Sequence, residues 1–517
     1  MKLNIENLQR HKDFFEIAGY ALPAYDIERM RQNTLQAPQW IHFGAGNLFK
    51  AFPAHAAQKL LNTGEIDTGI ITVEGYDYEL IEKTATPYDN LCILAILHSD
   101  QTIKKTILAS IAESLVLDPL WETDYNRLLQ IFAAPSLRLA TFTITEKGYS
   151  LPSDYLKKVT VLLYHRFRNG CLPIAMVSMD NCSHNGDLLK NSICTIAEEW
   201  YKEQRVPGEF LDYLSDPSCV SFPWTMIDKI TPRPDPQVET MLKKDGLENL
   251  SPQFTAKKSY TAPFVNAEET EYLVIEDHFP NGRPPLEKAG IYFAARGTVD
   301  QAEKMKVCTC LNPLHTALAI FGCLLGYETI AEEMQDSTLL ALVKKLGYQE
   351  GLPVVVHPGI LDPKEFLDTV INRRLPNPFL PDSPKRIATD TSLKLSVRFG
   401  ETIKKYQSSP DLSVKDLQAI PLVFAGWLRY LMELDDAGNP LVISPDPGAS
   451  HASAYVKSFP LTPSEKDLNS LDPLLANAEI FGVDLTKSGL ADKVKAYFAE
   501  LSSGPGAVEK TLQKYLL

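Results

Sequence analysis

The sequence predicts an α/β protein in which a mainly parallel sheet covered by helices comes first and a mainly α-helical region follows. Two observations support this prediction. Short apolar segments with β-strand composition alternate with amphipathic stretches through the first half of the chain, and beyond about residue 300 the helical pattern dominates. Alternation of strands and helices is typical of parallel sheets with both faces covered.

The 517-residue chain is too long for one ordinary hydrophobic core, so we expect two domains. A passage rich in Pro and Gly at 279–285 marks the connection between them. We therefore predict that residues 1–290 form the α/β domain, with a leader of short helices, and that residues 291–517 form the helical domain.

Composition limits the classes of partner. The net charge of −14 argues against nucleic-acid binding, which requires a basic surface. We find no apolar run of about eighteen residues and no apolar signal-peptide core, so we expect a cytoplasmic protein without a membrane span. The eight cysteines include no CxxC pair, and we expect reduced thiols and no metal site.

A β-α-β unit near the N-terminus carries a glycine pair typical of dinucleotide sites. A predicted strand at 40–43 runs into Gly44-Ala45-Gly46, and a helical pattern at 48–61 precedes a second strand at 69–74. Such glycines allow a tight turn and the close approach of a pyrophosphate to a helix N-terminus, as in Rossmann-like domains. The third glycine of the fingerprint is replaced by Phe49, so a turn without a cofactor stays open as the alternative.

The predicted cofactor is NAD. We expect the contacts from Gly44, Ala45, Gly46, Asn47 and Leu48 at the turn and from Glu74 at the end of the second strand. A carboxylate at that strand end binds ribose hydroxyls and repels a 2′-phosphate, which favours NAD over NADP.

Several short segments, taken in order, resemble the mannitol dehydrogenase family, the polyol-specific long-chain dehydrogenases. The first is Phe222–Pro232, whose centre is usually Val-Asp-Arg-Ile in that family and is Ile-Asp-Lys-Ile here. The others are Asp180–Gly186, Val274–Phe279 followed by Gly282-Arg283-Pro284, Asn377-Pro378 and Asp390–Lys394. His278 and the Gly-Arg-Pro-Pro-Leu run resemble the hexuronate branch, the fructuronate (mannonate) reductases.

The resemblance implies an NAD-dependent, metal-independent oxidoreductase acting on a small sugar acid or polyol, as a monomer or small homo-oligomer. It favours the pair D-fructuronate and D-mannonate. Tagaturonate, and fructose giving mannitol, remain alternatives within the enzyme class. A catalytically silent protein that binds NAD or a sugar is the alternative from a different class.

Reduction of a ketone requires donors aimed at the carbonyl oxygen and a group that delivers a proton. The resemblance places these roles on the pattern Lys-x-x-x-x-Asn-x-x-His. Asn312 and His315 fit it, but the lysine position falls on Val307 and Lys306 lies one residue too early. Pro313 predicts a bend or helix start at Asn312, so a one-residue bulge would return Lys306 to the site, with Lys304 as the fallback.

We hypothesise that Lys306 exchanges the proton, that the amides of Asn312 and Asn181 donate to the developing alkoxide, and that His315 fixes a hydroxyl or supports the lysine. The alternatives are a solvated Lys306 and a core His315. The predicted substrate-binding residues are Asp228, Asn185, Lys394 and Arg374, with His357 as a weaker candidate. Arg374 suits a two-pronged contact with a uronate carboxylate, whereas Asn185, before a glycine, also fits a plain turn.

Overall fold

The computed structural model describes every residue from Met1 to Leu517, and the chain divides into two compact units, Met1–Asp300 and Gln301–Leu517. The first unit is α/β and the second is helical, which confirms the predicted fold class. The predicted division at residue 290 lies close to the start of the second unit.

The first unit contains all the strands. They are β1 Tyr20–Ala21, β2 Trp40–Phe43, β3 Ile70–Glu74, β4 Cys92–Leu97, β5 Ile103–Leu108, β6 Ile111–Val116, β7 Leu139–Phe142, β8 Ile174–Ser178, β9 Val220–Ser221, β10 Thr225–Asp228, β11 Gln253–Phe254, β12 Tyr260–Thr261, β13 Phe264–Glu268, β14 Tyr272–Glu276 and β15 Tyr292–Ala294.

The principal sheet has six strands in the order β6-β3-β2-β7-β8-β9, and every neighbouring pair is parallel. Smaller sheets have the orders β1-β5-β4-β13, β10-β14-β15 and β11-β12. The strand order reverses direction between β2 and β7, and open parallel sheets bind ligands beyond the strand ends at such a point.

The helices of the first unit are α1 Ile5–Arg10, α2 Lys12–Ile17, α3 Ile27–Gln36, α4 Asn47–Phe49, α5 His55–Asn62, α6 Glu79–Thr84, α7 Glu122–Ala133, α8 Asp154–Arg168, α9 Asn185–Lys202, α10 Gly208–Ser215 and α11 Pro236–Lys244. Short 3-10 helices occupy Thr86–Tyr88, Glu146–Tyr149 and Leu286–Ala289.

Both faces of the principal sheet are buried. Ile41, Phe43, Val73 and Phe142 face the core formed with α7, α8 and α9, whereas Trp40 and its neighbours face the opposite core, which includes side chains of α5. Burial on both faces explains why these strands are continuous apolar runs rather than alternating ones.

Helix α12, Arg296–Met305, contains the boundary, and the second unit continues with α13 Asn312–Leu325, α14 Ile330–Glu333, α15 Ser337–Lys344, α16 Pro363–Thr369, α17 Pro384–Ile387, α18 Thr391–Leu395, α19 Glu401–Ser408, α20 Ala419–Tyr430, α21 Ala449–Ser453, α22 Glu465–Asn469, α23 Asp472–Leu475, α24 Ala478–Phe481, α25 Leu485–Ser488, α26 Ala491–Leu501 and α27 Ala507–Leu516. Further 3-10 helices lie at Leu352–Val354 and Val414–Asp416.

Five π-helical turns interrupt these helices. They lie at Lys50–Ala54, Lys306–Cys310, Lys345–Gly351, Val370–Arg374 and Ser396–Gly400. A π turn inserts one extra residue into a helix and is frequent at functional sites. Two of the five contain a predicted site residue, Lys306 and Arg374.

The helical stretch Arg296–Leu325 has the length and mean hydropathy, 1.5 over its most apolar window, of a membrane span. Polar residues interrupt this stretch, so it contains no unbroken apolar run of about eighteen residues. Because 78% of that window is buried inside the protein, the apolar side chains are those of a core helix.

Candidate active site

The glycine turn of the first unit opens a cavity of about 1000 Å³ at the ends of β2, β3 and β7. Gly44 has a φ of +111°, and a Cβ at this position would lie 2.3 Å from the carbonyl oxygen of Thr143. Only glycine fits there. Gly46 caps α4 and also lines the cavity, and a Cβ on it would meet no protein atom within 4 Å, so its surface is open to a ligand.

Glu74 ties the glycine turn to the second strand. One carboxylate oxygen accepts the amide of Ala45 at 3.0 Å, and the other accepts the amides of Tyr76 at 2.8 Å and Asp77 at 3.1 Å. The side chain lines the cavity and is 5% exposed. A carboxylate has about four acceptor positions, so Glu74 orders the backbone of the turn and keeps little capacity for ribose hydroxyls.

The glycine turn, the helix N-terminus that begins at Asn47 and Leu48, and the acidic strand end together fit a dinucleotide. Asp77 is a second carboxylate in the cavity that the sequence did not single out. It accepts the hydroxyls of Thr255 at 2.7 Å and Ser259 at 2.5 Å, which fixes the far wall of the cavity.

Asp180, the first residue of the Asp180–Gly186 segment, holds a neighbouring loop in place. It accepts the amides of Ile144 at 2.9 Å and Thr145 at 3.0 Å and the hydroxyl of Tyr149 at 2.6 Å. These bonds hold the loop that follows β7 along the cavity. The next residue, Asn181, lies in a bend after β8 with its side chain exposed.

Asn185 is not available to a substrate, which corrects its predicted role. The side chain is fully buried, and its amide nitrogen donates to the carbonyl oxygen of Asp180 at 2.9 Å and to the hydroxyl of Thr225 at 2.8 Å. Its amide oxygen accepts the backbone amide of Thr225 at 3.0 Å. Asn185 therefore joins the start of α9 to β10. Asp228 lies at the end of β10 and is 5% exposed.

In the second unit the predicted bulge is present. The π turn at Lys306–Cys310 is closed by a bond from the amide of Leu311 to the carbonyl oxygen of Lys306 at 3.1 Å. Asn312 then begins α13 with Pro313 in the first turn, as predicted. Lys306 is 3% exposed, which excludes the solvated alternative, whereas Lys304 is exposed.

His315 and Arg374 line the same narrow crevice, together with Asn377 and Asp382. His315 Nε2 lies 3.9 Å from the nearer carboxylate oxygen of Asp382, and Arg386 also contacts that carboxylate. Arg374 ends the π turn at Val370–Arg374 and is 4% exposed. Asn377 and Asp382 were not singled out from the sequence, although Asn377 belongs to a matched segment.

Lys394 and Arg398 lie one helical turn apart, and Arg398 contacts Asn312. Lys394 donates to the carbonyl oxygens of Ile387 and Thr389, and burial lowers its pKa. Arg398 donates to the Thr316 hydroxyl and, at 3.4 Å, to the carbonyl oxygen of Asn312. Burial lowers the pKa of Arg398 to about 10. Arg398 was missed because it lies outside the matched segment that ends at Lys394.

His357 does not line the crevice that contains Arg374, which corrects its prediction. Its side chain is 59% exposed, and its Nδ1 accepts the amide of Gly359 at 3.1 Å within a surface loop. Among all residues of the chain, no group of three or more His, Cys, Asp or Glu side chains is arranged to hold a metal ion.

Comparison with known proteins matches two family descriptions. "Mannitol dehydrogenase Rossmann domain" covers residues 38–288, and "Mannitol dehydrogenase C-terminal domain" covers residues 298–502. This chain belongs to the mannitol dehydrogenase family. Membership confirms the predicted family, the Rossmann-like fold, the oxidoreductase class and the use of NAD.

Relatives within the family differ widely in similarity. A D-mannonate oxidoreductase of Thermotoga maritima is 47% identical over 99% of both chains. A mannitol 2-dehydrogenase of Emericella nidulans is 26% identical over 92% of each.

Two solved structures resemble the whole fold. The Pseudomonas fluorescens mannitol 2-dehydrogenase, a ternary complex with NAD and D-mannitol, is 25% identical over 99% of both chains with a TM-score of 0.68. A D-sorbitol dehydrogenase in substrate-free form has a TM-score of 0.78.

Proposed function

We propose that this protein is an NAD-dependent oxidoreductase that interconverts D-fructuronate and D-mannonate. The observation that carries the proposal is the 47% identity, over nearly the full length of both chains, to a D-mannonate oxidoreductase. Relatives named mannitol 2-dehydrogenase are 26% and 25% identical, and a second D-mannonate oxidoreductase, of Escherichia coli, is also 26% identical, so the 47% match alone favours mannonate. We further propose a cytoplasmic monomer or small homo-oligomer whose partner is the small substrate, with no nucleic-acid or membrane partner.

The first unit would hold the cofactor at Gly44, Ala45, Gly46 and the start of α4. The backbone there presents amide groups and an open glycine surface, which suits a pyrophosphate. Glu74 maintains the turn and adds negative charge beside it, which disfavours a 2′-phosphate. When bound, the reduced nicotinamide supplies the hydride.

The second unit would supply the proton. Lys306 is a buried lysine on a π turn, and its side chain is held away from bulk water. In the proposed reaction it donates its proton to the substrate oxygen during reduction and recovers one during oxidation. Asn312, at the start of α13, offers an amide donor for the developing alkoxide, and Asn181 is the candidate for this role in the first unit. Ammonium and amide groups supply the polarisation that a metal supplies in other dehydrogenases.

Arg374 is the proposed partner of a uronate carboxylate. The crevice that it shares with His315 has no free volume for a water molecule in this structure, so the carboxylate requires these side chains to move apart. A guanidinium group can hold a carboxylate with two parallel hydrogen bonds, and the buried position of Arg374 strengthens that interaction. His315, paired loosely with Asp382, is suited to fix a neighbouring hydroxyl. Asp228 and Lys394 remain candidates for further hydroxyl contacts.

The experiment that tests the proposal is an absorbance assay of NADH oxidation with fructuronate, tagaturonate and fructose, followed by identification of the product. Formation of mannonate from fructuronate supports the proposal. Turnover of only tagaturonate or only fructose assigns the enzyme to another substrate of the family. Tight NADH binding without turnover of any of the three supports the catalytically silent alternative.

A further inference from the structure

Four polar side chains on the neighbouring strands β2 and β7 form a continuous hydrogen-bonded chain that ends at the cofactor cavity. The indole nitrogen of Trp40 donates to the Thr141 hydroxyl at 2.9 Å, and that hydroxyl lies 2.7 Å from Nδ1 of His42. On the other side of the imidazole, Nε2 lies 2.9 Å from the hydroxyl of Thr143. None of these four residues was predicted to belong to the site.

The direction of each hydrogen bond follows from the chemistry of Trp40. An indole nitrogen can only donate, so the Thr141 oxygen accepts from it and must place its own proton elsewhere. Two acceptors are in reach, Nδ1 of His42 at 2.7 Å and the carbonyl oxygen of Ile41 at 3.5 Å. Since a hydroxyl bond is strongest near 2.7 Å and weak at about 3.5 Å, the proton points to Nδ1.

This fixes the tautomer of His42. With Nδ1 as the acceptor, the ring proton resides on Nε2 and is donated to the Thr143 oxygen. His42 is fully buried and stacks on Phe49 with ring centroids 4.4 Å apart. Burial lowers the pKa of His42 to about 3, so the ring stays neutral and keeps this polarity at physiological pH.

Thr143 is the member of the chain that reaches the cavity. It lines the cavity beside the glycine turn, and its hydroxyl oxygen lies 3.0 Å from where a Cβ of Gly44 would be. Its side-chain oxygen accepts a hydrogen bond from Nε2 of His42. Its own hydroxyl proton is therefore directed to an acceptor outside these four side chains.

We propose that His42 is a positioning residue. It orients the Thr143 hydroxyl so that this hydroxyl donates a hydrogen bond to an oxygen of the dinucleotide bound at the glycine turn. The inference rests on the proposed function for the identity of the ligand, and on the structure alone for the polarity of the bonds. Because the hydroxyl is already oriented toward an acceptor, it loses less rotational entropy on binding than a freely rotating hydroxyl would lose.

The polarity is tested by ¹⁵N NMR of the full-length protein with labelled histidine, with the His42 signals assigned by their loss in the variant His42→Gln. We expect a protonated Nε2 and an unprotonated Nδ1. A protonated Nδ1 would overturn the inference, because Thr143 would then donate to His42 and not to the cavity.

The role in binding is tested by fluorescence titration with NADH. Thr143→Val, which removes the donor, should raise the Kd about tenfold or more, whereas Thr143→Ser should stay within about threefold of the wild type. An unchanged Kd for Thr143→Val would overturn the inference.

A pair of substitutions at position 42 separates positioning from simple packing. Glutamine places an amide nitrogen near the position of Nε2 and retains the donor to Thr143, whereas asparagine reaches only the position of Nδ1. We expect His42→Gln to bind NADH more tightly than His42→Asn by about fivefold or more. Equal losses in the two variants would indicate packing alone and would contradict the inference. A wild type that shows the expected tautomer but binds no NADH would instead contradict the proposed function.

Discussion

The amide of Leu311 donates to the carbonyl oxygen of Lys306, five residues earlier, at 3.1 Å. This bond closes a π turn that accommodates one residue more than a regular α-helix. The resemblance places the lysine one position later than Lys306, and one extra residue is the offset that the prediction for Lys306 requires. Lys306 is buried at the start of this turn, and α13 begins at Asn312 directly after it.

Replacement of Lys306 by alanine should reduce kcat by at least about a hundredfold, because general acid catalysis typically contributes that much or more. NADH should still bind with near-native affinity, since the glycine turn lies in the other unit. Stopped-flow turnover and NADH titration measure the two effects. The matched control is Lys304→Ala, an exposed lysine two residues earlier, which should remain active. Near-native turnover by Lys306→Ala would refute the assigned proton donor, and loss of turnover by Lys304→Ala alone would transfer the role to Lys304.

Arg374→Ala should lower kcat/KM for fructuronate about tenfold to a hundredfold, because it removes charge-assisted hydrogen bonds to a carboxylate. Activity with fructose, which has no carboxylate, should change much less. Steady-state kinetics with both substrates measures the difference. Arg373→Ala is the control, since Arg373 is adjacent but exposed. Equal losses on both substrates would show that Arg374 supports the fold and not the carboxylate.

Glu74→Gln should raise the Kd for NADH about tenfold. The amide keeps the size of the carboxylate and one acceptor oxygen, but its nitrogen is a donor, so at least one of the three backbone amides loses its acceptor and the glycine turn loses order. Fluorescence titration with NADH and NADPH measures the effect, and the ratio of the Kd for NADPH to the Kd for NADH should also become smaller. Glu82→Gln, an exposed change on nearby α6, serves as control. Unchanged NADH affinity in Glu74→Gln would contradict this role.

Glu333 makes the stability of the protein depend on pH. It is fully buried, neither carboxylate oxygen has a hydrogen-bond partner, and burial, followed by the charges of Asp336 and Glu332, raises its pKa well above the ordinary value. A raised pKa contributes stability that is complete below the ordinary carboxyl pKa and is lost as the pH rises toward the raised value. Glu333→Gln removes this titration.

The Tm of Glu333→Gln, relative to that of the wild type, should therefore rise as the pH increases from about 5 to about 8. Differential scanning calorimetry measures this difference, and the exposed Glu328→Gln should show no such trend. Parallel pH profiles for Glu333→Gln and the wild type would show that folding does not raise the pKa of Glu333.

Local patterns in the sequence predicted the elements that carry the site. The strand at Trp40–Phe43 has the predicted bounds, Asn312 begins a helix as Pro313 indicates, and the π turn supplies the bulge that the lysine spacing required. These features are set by neighbouring residues, so periodicity and turn chemistry are enough to predict them.

Pairing between distant segments was not predictable in the same way. The segment 103–111 is apolar enough to predict one β-rich stretch, but β5 ends at Leu108 and joins a different sheet from β6, which begins at Ile111. The periodicity of the segment 330–345 predicts one helix, but the helix ends before Asp336, which accepts the amides of Thr338 and Leu339 and caps a new helix. The bonds of Asn185 to β10 also depend on tertiary contacts, and no local pattern distinguishes them from a turn.

The most direct test of the account is the ratio of kcat/KM for fructuronate to kcat/KM for fructose, measured with NADH on the wild-type protein. We predict a ratio of about a hundred or more in favour of fructuronate, because one buried guanidinium–carboxylate contact discriminates on that order. A ratio near one, or a preference for fructose, would contradict both the proposed substrate and the role of Arg374.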